Sequence, residues 1–213
     1  MVAQNVFDIE ADRGLSSFDQ RHKFTGNWTY DLPLGENRRF LQKGFVSHVI
    51  AGWQWSGNFT VASGLPFTVR VLGGTLDIDR GVSGSLRANL LPGESISVSN
   101  PTTKEWFNTA AFCQPETTVG NPLSTCINPG DSQFGDAGRN ILEGPGQVSL
   151  NMSLNKTITI KEYRSLDLRI TANNVFNMVY FTSLGTVVNS TTFGEVTGAG
   201  AMRRVTVQAR FRF

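Results

Sequence analysis

Apolar and polar residues alternate with period two along five long stretches of the chain. In the last of these, residues 201–213 (AMRRVTVQARFRF), Val205, Val207, Ala209, Phe211 and Phe213 share one face with Arg203. Met202, Arg204, Thr206, Gln208, Arg210 and Arg212 share the other. Successive side chains of a strand point to opposite faces, so this pattern predicts a strand with two unlike surroundings. Residues 22–32 repeat it, with Phe24, Trp28, Tyr30 and Leu32 opposite Lys23, Thr25, Asn27, Thr29 and Asp31. Residues 51–62 place Trp53, Trp55, Phe59 and Val61 opposite Gln54, Ser56, Asn58 and Thr60. Residues 147–157 alternate Val148, Leu150, Met152 and Leu154 with Ser149, Asn151, Ser153 and Asn155. Residues 164–176 set Leu166, Leu168, Ile170 and Ala172 against Ser165, Asp167, Arg169 and Thr171.

Soluble strands average roughly 5–6 residues, whereas a tilted strand crossing a bilayer needs roughly 9–11. All five stretches reach the longer class. The expected fold is all-β: an antiparallel up-and-down meander of long strands, part of a transmembrane β-barrel. Link lengths alternate in the same sense. Residues 158–163 form a short link, 63–146 a very long one and 177–200 an intermediate one, as outer-membrane barrels alternate periplasmic turns with extracellular loops. The link 33–50, carrying Arg38, Arg39 and Lys43, is longer than a tight turn. Within the long segment, residues 66–72 (PFTVRVL) read as a strand broken at Gly73 and Gly74. It is expected to extend the third strand or to fold back over the barrel mouth.

Trp28 and Tyr30 fall near the end of one predicted strand, and Trp53 and Trp55 near the start of the next. All four are expected at one membrane edge, as an aromatic girdle at headgroup level.

Composition agrees. Hydrophobic residues are 39% and charged residues 17%, both low for a soluble domain, so small polar residues dominate. A net charge of +2 gives no electrostatic case for nucleic acid. No apolar run is long enough for a membrane helix, and the first residues, MVAQNVFDIEADRG, carry no export-signal pattern. Cys113 and Cys126 lie in one segment broken by Pro115, Pro122, Pro129 and Gly130. With His22 and His48 distant, a metal site is not expected; between two free thiols and a disulfide closing this loop, the disulfide is expected, in an oxidising compartment.

Motifs for chemistry are weak. Asp77, Asp79 and Gly81 suggest part of a calcium loop, but the twelfth position is Ala88 rather than Glu. Gly135-Asp136-Ala137-Gly138 precedes no helix, so it is no phosphate loop. The Asn-X-Ser/Thr triplets fall mostly within predicted strands. No Ser stands in a strand-to-helix elbow. The chain is expected not to be an enzyme, with no catalytic residue, cofactor or metal.

Several stretches taken in order carry a family resemblance: SSFDQRHKFTGNWTYDLP, GWQWSGNFTVASGLPFTV, RANLLPG, WFNTAAF, FGDAGRNILEGPGQVSLNMSLNKTITI, LRITANNVFN and FGEVTGAGAMRRVTVQARFRF. From about residue 8 to residue 213 the chain resembles the C-terminal part of TonB-dependent receptors. It looks most like the Oar-like branch, whose members carry an N-terminal carboxypeptidase-regulatory-like domain. The resemblance implies that residues 1–213 are the C-terminal barrel segment of a larger protein of the bacterial outer membrane, with plug and N-terminal domains absent. It implies active uptake of a bulky substrate, driven through the missing part by the TonB energising complex. It also implies that the alternate positions Val207, Ala209, Phe211 and Phe213 match the C-terminal signal read by the barrel-assembly machinery. Two rival readings are a surface carbohydrate-binding β-sandwich that stacks sugars on Trp53 and Trp55, and a passive porin-like barrel.

Overall fold

A computed structural model describes residues 3–5, 7–34, 40, 51–71, 86–115, 134–161 and 164–213. The strands, in chain order, are β1 (Lys23–Asp31), β2 (Trp53–Ala62), β3 (Pro66–Phe67), β4 (Asn89–Leu90), β5 (Phe112–Cys113), β6 (Leu142–Glu143), β7 (Gln147–Lys161), β8 (Arg164–Asn173), β9 (Phe181–Leu184), β10 (Val196–Ala199) and β11 (Arg204–Arg212). The chain divides into two compact units. A sheet unit comprises His22–Ala62, Gln147–Tyr180 and Ala201–Phe213; a loop unit comprises Met1–Arg21, Ser63–Gly146 and Phe181–Gly200.

The sheet unit holds the five long strands in the order β1-β2-β7-β8-β11, every pair antiparallel. The register is fixed by the alternation, because a one-residue slip would turn every apolar side chain to the polar face. Tyr30 lies opposite Trp55, Trp55 opposite Leu154, Leu154 opposite Ile170, and Ile170 opposite Val207. This apolar row therefore runs unbroken across all five strands. β1 begins, β2 ends, β7 begins, β8 ends and β11 begins at the same end of the ladder, where the long segments depart.

Two strand boundaries correct the sequence reading. β7 continues through the expected link 158–163 as far as Lys161, because Ile158 and Ile160 prolong the apolar alternation. β8 stops at Asn173 rather than at 176. The next residue, Asn174, has φ +50°, a left-handed conformation that Asn tolerates and that ends a strand. Its side chain then closes the turn. Nδ2 donates to the carbonyls of Met178 (2.8 Å) and Ala201 (3.1 Å), and Oδ1 accepts from the Met178 N–H (2.9 Å).

Since neighbours alternate in direction, β1 and β11 run the same way, and each has one unpaired edge among the described residues. Five strands cannot close on themselves with antiparallel pairing throughout. Closure of that kind needs an odd number of further strands, and at least three to reach the smallest bacterial barrels of about eight.

The loop unit has a core of its own: Val69, Val71, Leu86, Ala88, Phe107, Ala111, Phe112, Ala137 and Leu142. Phe107, Phe112 and Phe193 pack edge to face, with ring centroids 5.3–6.3 Å apart. The expected strand 66–72 shortens to β3, which pairs with β6, while Arg70 bridges to both Arg87 and Val187. It therefore does not prolong β2, and residues 69–71 instead pair antiparallel with 86–88, where the Val71 N–H donates to the Leu86 carbonyl (3.0 Å); residues 72–85 lie outside the described set. β4 pairs with β5, and β9 with β10 across a bulged register. The N-terminal segment is clamped to this core. Gln4 donates to the Gly135 carbonyl (2.8 Å) and accepts from the Arg87 N–H (3.0 Å). The buried Arg87 guanidinium lies 3.6 Å from Asp12 and donates to the Ala11 carbonyl. Loss of hydration lowers the Arg87 pKa from its ordinary value, opposed chiefly by the attraction of Asp12.

Candidate functional site

The functional surface of the sheet unit is its pair of unlike faces. One carries Phe24, Trp28 and Tyr30 on β1, Trp53 to Val61 on β2, Val148 to Ile160 on β7, Leu166 to Ala172 on β8, and Val205 to Phe211 on β11, at alternate positions. It is open: Phe24 is 67% exposed, Val207 72% and Phe211 51%. Soluble proteins rarely leave contiguous apolar surface of this kind in water. This face needs an apolar solvent.

The other face is a polar ladder. Ser56 and Ser153 share a hydrogen bond of 2.9 Å, Asn151 donates to Asn58 at 2.9 Å, and Gln54 to Asp31 at 3.0 Å. Asp167 accepts from Thr157 at 2.8 Å and pairs with Arg212 at 2.6 Å. Arg169, Arg204 and Arg210 stand on the same face of β8 and β11, so this part of the ladder is basic. Such a face suits water.

The structure brings the four proposed girdle residues together on the apolar face of β1 and β2. Trp28 meets Trp55 edge-on at 5.5 Å, and Tyr30 lies opposite Trp55 in the register. Two glycines that sequence reading left without a role make this cluster possible. Gly26 lies opposite Phe59, and Gly57 opposite Trp28. A methyl group at Gly26 would run into the Phe59 ring, and one at Gly57 into the Trp28 ring and the Asn151 carbonyl. Each glycine is a seat for the ring across from it, the pairing by which aromatics cover glycine backbone in barrels. The available signal was a glycine at a position where the alternation demands a bulky residue.

Lys156 was also missed. It sits in the apolar row between Trp53 and Leu168, and is almost fully buried. Its Nζ lies 6.0 Å from the centroid of the Trp53 ring, within cation–π range. Trp53 and Lys156 thus add a cationic, aromatic contact beside the cluster of Trp28, Tyr30 and Trp55.

On β11, Val207, Ala209, Phe211 and Phe213 line up on the apolar side, with the Phe211 and Phe213 rings stacked at 6.3 Å. Cys113 is buried in β5 opposite Asn89. Cys126 falls outside the described residues, as do His48, the Asp77–Gly81 motif and most of the link 33–50. Among the described residues no three His, Cys, Asp or Glu side chains cluster as metal ligands would.

Compared with known proteins, the chain matches the family model described as outer membrane beta barrel domain over residues 1–207. No curated protein and no solved structure matches it. Nearly the whole chain is covered, and the match agrees with a five-stranded antiparallel sheet that is apolar on one face and polar on the other. The chain thus belongs to the outer membrane beta barrel domain family and resides in the bacterial outer membrane.

Proposed function

We propose that this chain is the closing portion of a TonB-dependent transporter that takes up a bulky substrate across the outer membrane. The observation that carries the reading is that β1 and β11, the sheet's edge strands among the described residues, run the same way, which calls for an odd number of further strands. A second copy in the same membrane orientation would offer only parallel pairing at β1 and β11, so the missing strands come from a different segment, placed upstream of β1 in the same protein. That segment also supplies the plug and the contact with the TonB energising complex. The family resemblance along residues 8–213 supports this assignment, and so does the size of the loop unit, which is suited to a receptor for substrate.

In this reading the polar face lines the lumen and the apolar face meets lipid. Phe213 and residues 158–163 face the periplasm; Cys113 and Cys126 face outside and are paired. The barrel-assembly machinery reads the Val207–Phe213 row. The protein binds and passes its substrate without catalysing a reaction. The purified periplasmic domain of TonB should bind the whole gene product in detergent, measured by pull-down. Absence of binding would favour a passive porin-like barrel.

A further inference from the structure

Within the loop unit, a cleft of about 570 Å³ opens between the segment 94–101, Trp106 and the β6 strand. That is the size of a small-molecule or short-peptide site. Its walls are preformed. Asn108 donates through Nδ2 to the Ser95 carbonyl (2.8 Å) and to the Glu94 carboxylate (3.4 Å). The Trp106 indole N–H donates to the Glu143 carbonyl (3.1 Å), and the Ser95 hydroxyl donates to the Ser97 carbonyl (3.2 Å). These three donors are thus turned inward to the protein. The cleft keeps the exposed carboxylates of Glu94 and Glu143 and the Ser97 hydroxyl, beside the indole of Trp106 and the apolar side chains of Ile96 and Ile141. No Lys or Arg lines it, and neither carboxylate is ion-paired among the described residues.

A carboxylate accepts hydrogen bonds only, and an indole face attracts cations. We propose that this cleft binds organic cations, ammonium or guanidinium groups carried on an apolar frame, as in a short basic peptide. Two unpaired negative charges favour a ligand that brings compensating charge over a neutral sugar, which brings donors alone. The proposal goes beyond the transport reading. Only the side of the membrane that the cleft faces depends on that reading, and binding in detergent does not.

The probe is the peptide Lys-Leu-Lys amide, titrated calorimetrically at low salt into the whole gene product folded in non-ionic detergent. The expected result is saturable binding that the Glu94→Gln/Glu143→Gln double variant weakens at least about tenfold. Acetylating all the peptide's amines should abolish binding. Both substitutions are at exposed positions, and near-ultraviolet circular dichroism checks that the loop unit is intact. Failure of the wild-type chain to bind, equal binding by the double variant, or equal binding of the acetylated peptide would overturn the proposal. So would tighter binding of a neutral trisaccharide, unaffected by the double substitution.

Discussion

The sheet unit and the loop unit are stabilised by different solvents. Every buried apolar residue among those described belongs to the loop unit, with the single exception of Ala62. The loop unit therefore holds together as soluble proteins do, by withdrawing Val69, Phe107, Phe112 and Leu142 from water. The sheet unit keeps Phe24, Val205, Val207 and Phe211 exposed and satisfies its backbone through a strand ladder instead. In hydrocarbon that division is the stable one, because the ladder pairs the backbone groups that lipid cannot solvate, provided the edges are closed. One chain thus alternates between two folding problems each time it enters or leaves the membrane strands.

The comparison can be broken at either unit. Phe112→Ala removes a buried ring that packs against Phe107 and Phe193, and should cost the loop unit about 3–5 kcal/mol. Limited proteolysis of outer-membrane fractions should then cut within residues 63–146 while the heat-modifiable barrel band persists. Loss of both together would show that the units do not fold on separate terms.

On the sheet, Val207→Arg should cost about 2–4 kcal/mol if the position lies near the bilayer midplane, and Gln208→Arg about 1 kcal/mol or less. The amount of heat-modifiable barrel recovered for each variant measures the difference. The expected Cys113–Cys126 disulfide closes a loop of roughly a dozen residues, for which chain entropy gives about 3 kcal/mol. Thiol titration of denatured, unreduced protein should find no free thiol, and two free thiols would refute the pairing. The smallest effect belongs to the Arg212–Asp167 pair. Its Arg212 side is largely exposed, and Arg212→Gln should cost only about 0–1 kcal/mol. If the proposed assembly signal holds, deleting Phe213 should reduce barrel insertion by more than that substitution does.

The sheet was legible in the sequence because each strand carries its own evidence. Period two reports two solvents locally, without reference to any partner strand. Its errors lie at the ends: Ile158 and Ile160 kept the alternation going where a link was expected, and Asn174 broke it with a positive φ that no apolar pattern reports. The loop unit was not legible, because its order comes from contacts far apart in the chain. Thr68 bonds Asn140, and Gln4 bonds the backbone of Arg87 and Gly135, from irregular segments that leave no periodicity to read. The cleft shares that fate, since Glu94 and Glu143 are brought to one surface only by the fold. The shared face of Trp28, Tyr30, Trp53 and Trp55 was legible from the alternation. Their glycine seats were not, because a seat is defined by the ring across the ladder.

Brominated acyl chains quench a tryptophan only when it touches lipid, so they test the two-solvent account most directly. Among variants retaining one of the four tryptophans, with the others changed to Phe, Trp28 and Trp55 report on the apolar face of the sheet and Trp106 on the loop unit. In vesicles of brominated phospholipid, the account predicts strong quenching of Trp28 and Trp55 and none of Trp106. Equal quenching of all three, or none at Trp55, would contradict the claim that lipid is the solvent of the apolar face.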